Sequence, residues 1–121
     1  MVVEQLRTSE SEELDRLFQA LADSTRRDIL SRVSAGERSV SGLAVLYAMS
    51  FAAVQKHVAV LERAGLVVKT KRGREQLVGA NPERLALARQ VLDRYEAIWR
   101  QRSVQIDDLL AADPQPRQHQ Q

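Results

Sequence analysis

Cysteine is absent from this chain. Its absence removes disulfides, thiolate metal ligands and cysteine nucleophiles together, and leaves the redox compartment undetermined. Aromatic residues are scarce: two Phe, two Tyr and one Trp in 121 residues. A core built from such a chain must be aliphatic, and it leaves room for a partner surface to complete it. Histidine occurs only at His57 and His119. No apolar run is long enough to span a bilayer and the N-terminus lacks the apolar segment of a signal peptide, so a soluble cytoplasmic protein with no membrane partner is expected. Catalytic signatures are missing too: there is no glycine-rich phosphate loop, no glycine-flanked serine and no histidine positioned by a carboxylate. Ser50 and His57 fall on one expected helix but about 10 Å apart along its axis. The chain is expected not to be an enzyme.

What is present suffices for one globular domain with a modest core, since 44% of the residues are apolar. The net charge of +2 hides an asymmetry. Residues 1–49 carry six basic and eight acidic groups, and residues 81–121 carry six of each. Residues 50–80 carry six basic groups (Lys56, Arg63, Lys69, Lys71, Arg72, Arg74) against Glu62 and Glu75. The positive excess is concentrated there, where it would attract a polyanion.

The stretch 50–65, SFAAVQKHVAVLERAG, predicts a helix marked at both ends. Ser50 can cap its first turn, and Gly65 stands where a left-handed residue closes the last. Val54, Val58 and Leu61 make one apolar face. Gln55, Lys56 and Arg63 lie largely off that face. A short helix anchored from behind, with amide and cationic groups in front, is what a DNA major groove admits.

The rest of the chain fits around it. Residues 1–10 are expected to be a flexible N-terminus and 113–121, rich in proline and glutamine, a disordered tail. A first helix is expected from Ser11, capped by Ser9 or Ser11, with Leu14, Leu17, Phe18 and Leu21 as its apolar stripe. Asp23 or Ser24 then caps a second helix to about Ser34, with Ile29, Leu30 and Val33 inward. Ser39 caps a short third helix whose contacts come from Val40, Leu43, Ala44, Leu46 and Tyr47, and Ala48-Met49 leads tightly into Ser50. That is helix-turn-helix organisation. Residues 66–71 and 75–78 read as strands joined at Arg72-Gly73-Arg74, a hairpin with a basic tip that forms a wing over 66–79. Asn81-Pro82-Glu83 starts a last helix running to about Ala112, with Asn81 as its cap. Leu85, Ala88, Leu92, Tyr95, Trp99, Arg102, Ile106 and Leu109 follow one another at alternating spacings of three and four, a heptad-type seam. A helix of roughly 30 residues is about 45 Å long, too long for so small a domain to cover. Leu14, Leu17, Phe18, Leu92, Tyr95, Trp99, Ile106 and Leu109 are therefore expected to form a two-fold dimer interface.

LADSTRRDIL (21–30), VSGLAVLYAMS (40–50), VQKHVAVLERAGLV (54–67) and the KRGRE wing (71–75) together resemble the ArsR-type winged-helix transcriptional regulators. The match covers about residues 14–80, and the last helix is compatible with it. The resemblance implies a mainly α fold with a small β-hairpin, in the order α-α-α-α-β-β-α over residues 11–112, and a homodimer. It implies that two helices over 50–64 read half-sites of a near-palindromic operator in double-stranded DNA, usually in repression.

Carried over by position, the family's base-facing residues fall on Phe51, Ala52, Gln55 and Lys56, next to the cap Ser50. Gln55 could pair with adenine, and Lys56 could reach guanine or a phosphate. Phe51 departs from the polar residue often found there. It either touches a thymine methyl or packs on the edge of the apolar face, and packing is the preferred placement. His57 matches the family's common histidine and is assigned to hydrogen bonding near the phosphates or to a structural role. Lys71, Arg72 and Arg74 on the wing are candidates for phosphate or minor-groove contact. Ser39, Thr25 and Arg26 are weaker phosphate candidates. Many members of the family bind metals through cysteines on the third helix or Asp/His pairs on the last. This chain has no cysteine, and its last helix has acids but no histidine, so no metal site and no cofactor are expected. A dimerisation module without DNA binding would account for the Tyr95–Trp99 seam but not for the basic wing tip.

Overall fold

The computed structural model describes the backbone of residues 2–112 and the side chains of residues 9–111. The tail expected to be disordered, with His119, lies outside the described residues. Eight elements follow one another: α1 (Val2–Leu21), α2 (Ser24–Ala35), β1 (Arg38–Ser39), α3 (Val40–Ala44), α4 (Phe51–Arg63), β2 (Val67–Arg72), β3 (Glu75–Ala80) and α5 (Pro82–Ala112).

The first helix begins at Val2 rather than Ser11, so Ser9 and Ser11 lie within it and cap nothing. Nothing in residues 2–10 breaks a helix: there is no glycine or proline, and an interior serine costs only a few tenths of a kcal/mol. Between α1 and α2 the carboxylate of Asp23 accepts from the backbone N–H of Arg26 at 3.0 Å, which settles the cap of α2 on Asp23. Ser39 caps α3 by accepting from Gly42 N–H at 2.9 Å. The third helix is shorter than expected and ends at Ala44. The chain then turns through residues 45–50, held by bonds from Leu46 N–H to Leu43 and from Tyr47 N–H to Ala44. Leu46 is consequently exposed rather than packed.

The hairpin pairs Val67 with Ala80 through to Arg72 with Glu75. Its turn is two residues long, Gly73-Arg74, with Gly73 at φ +64 in the first central position, where a primed turn needs a glycine. One strand was not expected. Arg38 and Ser39 pair with Val78 and Leu77, which makes a three-stranded antiparallel sheet in the order β1-β3-β2. Two residues carry no periodicity of their own, so only the partner strand defines them.

The chain divides into two compact units, Met1–Ala88 and Arg89–Gln121. The core of the first is aliphatic throughout: Leu17, Ile29, Leu43, Val54, Val58, Leu61, Leu66 and Val78 are fully or almost fully buried. No charged or polar side chain is buried among the described residues. In the second unit the described side chains of α5 are exposed apart from the buried Val91, and Arg89–Asp93 and Arg100–Glu96 pair one turn apart. Among the described residues no helix is long and apolar enough to cross a membrane.

Candidate nucleic-acid interface

The helix α4 is fixed at both ends and from behind. At its start the Ser50 hydroxyl accepts from Ala53 N–H at 3.1 Å. At its end Leu66 N–H donates to Leu61 and Gly65 N–H to Glu62, both at 2.9 Å, with Gly65 at φ +80. Those paired bonds are a complete Schellman closure, which satisfies carbonyls that would otherwise end the helix unpartnered. Asn81, expected to cap α5, instead extends its side-chain amide to the carbonyl of Gly65 at 3.0 Å. Its own backbone N–H donates to Leu66, so the end of the wing is tied to the end of α4. Val54, Val58 and Leu61 anchor the inner face.

The outer face is open. Phe51, Ala52, Gln55 and Lys56 are all exposed. At 3.6 residues per turn they fall within an arc of about 140° that begins with Phe51 at the edge of the buried face and ends with Lys56 on the far side. Phe51 is 48% exposed, so about half of its ring surface is open to solvent and it is not a buried core residue. On the wing Lys71, Arg72 and Arg74 are exposed. Among the described residues, neither Gln55 and Lys56 nor these three wing cations form a side-chain hydrogen bond or ion pair. Lys69 is the exception on the wing, 3.5 Å from Glu62 of α4.

Three other candidates have partners within the chain. The Ser39 hydroxyl oxygen accepts the α3 cap bond, which leaves its O–H as a donor. Arg26 makes three contacts within the chain: its guanidinium donates to Ala20 at 2.9 Å and to Gln19 at 3.0 Å, and its third nitrogen lies 3.3 Å from His57 Nδ1. A guanidinium has only donors, so Nδ1 accepts and the ring proton belongs on Nε2. Asp23, whose carboxylate caps α2, lies 3.9 Å from the same Nδ1. That distance makes an ion pair only with a charged ring. A carboxylate does therefore stand beside this histidine, contrary to the sequence expectation. The backbone N–H of Arg26, and after it the Arg26 charge, holds the Asp23 carboxyl below its ordinary range. His57 on α4 thus lies against Arg26 and Asp23 at the start of α2. The spacing of Asp23 and Arg26 announces the cap, but nothing local announces a partner 31 residues away.

A second junction holds the turn before α4. Tyr47 donates its hydroxyl to Asp28 at 2.6 Å, Arg32 donates to the same carboxylate at 2.8 Å, and the Arg32 guanidinium lies 5.8 Å from the Tyr47 ring centre. Burial, and then the Asp28 hydrogen bond, push the Tyr47 phenol up to about 12.

Of the residues expected at a dimer interface, Leu17 is corrected: it has no exposed surface and belongs to the core of its own protomer. Leu14 is half-buried, and Phe18 is exposed. On α5, Leu92, Tyr95, Trp99, Ile106 and Leu109 are all exposed, Tyr95 at 60% and Trp99 at 75%. Among the described residues no group of three or more His, Asp or Glu side chains is placed to hold a metal ion.

Residues 21–70 match the family described as "Helix-turn-helix domain". The chain is 41% identical over 81 residues to the HTH-type transcriptional regulator Rv2034 of Mycobacterium tuberculosis, an alignment covering 67% of this chain and 76% of that one. Its structure is similar to that of an ArsR-like transcriptional regulator from Rhodococcus sp. RHA1, with a TM-score of 0.75 at 32% identity over 88% of this chain and 97% of the other. The fold is also that of the homodimeric winged helix-turn-helix DNA-binding domain of Mb0332 from Mycobacterium bovis. There the TM-score is 0.62 at 22% identity, over 76% and 87% of the two chains.

Proposed function

Because this chain belongs to the ArsR-like family of helix-turn-helix transcriptional regulators and binds DNA in that capacity, we propose that it is a homodimeric repressor of a near-palindromic operator, acting in the cytoplasm without a metal or other cofactor. One α4 from each protomer enters the major groove at a half-site, and the β2–β3 wing lies along the flanking DNA. The observation that carries this reading is the outer face of α4. Gln55 and Lys56 stand exposed and uncommitted on a helix held at both ends and from behind, so they meet bases without first giving up other contacts. Lys71, Arg72 and Arg74 supply charge for the phosphates, a contribution that weakens as salt rises. The work of this site is recognition, and no catalytic step is assigned to it.

Dimerisation is supported by the exposed seam of α5, where two large aromatic rings stand in water in the single chain. A two-fold dimer requires two half-sites about one or more helical turns apart, and binding to promoter DNA then excludes other proteins from it. Selection of bound sequences from a random DNA pool tests the whole reading. The expected product is an inverted repeat with one fixed spacing. A lone half-site would remove the dimer, and a pool without enrichment or salt-sensitive binding would remove the operator. Replacing Gln55 or Lys56 by alanine should cost about 1–3 kcal/mol of discrimination at one base pair. Removing Arg72 or Arg74 should weaken all sequences alike and lower the salt slope by about 1.

A further inference from the structure

The first turn of α4 offers the DNA an apolar group. Phe51 is the first residue of the helix, directly after the Ser50 cap, with its ring half in water and outside the core. A lone exposed aromatic elsewhere on a surface would need no explanation. Here it occupies the end of the helix from which helix-turn-helix proteins reach base edges. A phenyl ring neither donates nor accepts a conventional hydrogen bond, so it can distinguish bases only through their apolar groups. In the major groove the group that sets one base apart in this way is the C5-methyl of thymine. Ala52, exposed beside it, adds no competing polar group. Gln55 stands one turn further along the same side, about 6 Å up the axis, and its amide suits adenine. That rise corresponds to one or two steps between stacked base pairs at about 3.4 Å each.

We propose that Phe51 is a specificity-determining residue that selects thymine through its 5-methyl group, one or two base steps from an adenine bound by Gln55. This rests on the placement of α4 in the major groove.

The test starts from the operator returned by selection and replaces each thymine singly with deoxyuridine, which keeps every hydrogen-bonding group and lacks only the methyl. The wild-type protein should lose about three- to fivefold in affinity at one thymine per half-site, the effect of one buried methyl-sized group. In Phe51→Ala that penalty should vanish, while the penalty for changing the adenine read by Gln55 remains. In Phe51→Leu, which keeps an apolar side chain, part of the deoxyuridine penalty should persist. Thermal unfolding of both variants is expected to match the wild type, because the ring is not part of the core. A selected half-site in which no thymine methyl matters would overturn the proposal and leave the operator reading intact. So would a Phe51→Ala protein that still loses affinity on deoxyuridine substitution. Failure to select any sequence would overturn both.

Discussion

A single guanidinium, that of Arg26, joins the end of α1 and the start of α2 to the reading helix through Ala20, Gln19 and His57. Arg26→Ala should therefore cost about 1–2 kcal/mol of stability, measured as a lower urea midpoint at unchanged slope. Arg26→Lys should recover little of it, because an ammonium cannot reproduce a planar fork with three directions. Asp28 and Tyr47 set limits on stability at both ends of the pH scale. The Tyr47 hydrogen bond, followed by Arg32, lowers the Asp28 carboxyl below 3.8, so its contribution is complete above that value and is lost as pH falls through the lower folded value. The raised Tyr47 phenol works in the opposite sense. Its contribution is complete below 10.0 and is lost as pH climbs through the folded value of about 12. Asp28→Asn should flatten the acid limb of a stability-against-pH curve, leaving the part due to Asp23, and should bring the tyrosinate absorbance transition of Tyr47 to lower pH. An unchanged transition would remove the hydrogen bond as its cause.

At the scale of elements, α4 was legible from end to end. Its cap, its apolar spacing and its closing glycine are all local, and all three are found where the spacing places them. Gly65→Ala tests the closure. A β-carbon at φ +80 is strained whatever the space around it, and it would also stand 2.5 Å from Arg84 Nε, the far end of a side chain that can move aside. The backbone strain dominates, so the expected loss is about 1–2 kcal/mol, read as a lower melting temperature. The wing was legible in its strands and its glycine, though the turn is tighter than the three residues expected. The start of α1 was misplaced because two serines resembled caps in a stretch that nothing actually breaks. The β1 strand was invisible because two residues have no period, and their pairing is supplied by β3.

At the scale of the whole molecule, the decisive feature is the exposed apolar surface of α5, from Leu92 to Leu110. Trp99→Asp should weaken self-association by roughly thirtyfold or more, since a charge at a central aromatic anchor removes its burial and resists desolvation. Sedimentation should show the mass falling to that of one chain, and affinity for a paired operator should fall with it. An undiminished mass would place the interface elsewhere. The same test applied to Leu17 would be uninformative, because that side chain supports its own protomer and its loss would unfold the first unit.

The sequence alone determined whatever depends on neighbours three or four positions away: the caps on Ser39 and Ser50, the α2 cap as Asp23 or Ser24, the inward faces of α2 and α4, the basic hairpin, and the helix-turn-helix order that they compose. Tertiary structure decided everything that depends on which face meets which. It set Arg26 against His57, put Leu17 inside, turned the Asn81 amide to Gly65, and left about half of the Phe51 ring exposed. The physical reason is that capping and periodicity are satisfied within one or two helical turns. Burial and long-range hydrogen bonds exist only once segments such as residues 26 and 57 have been brought together.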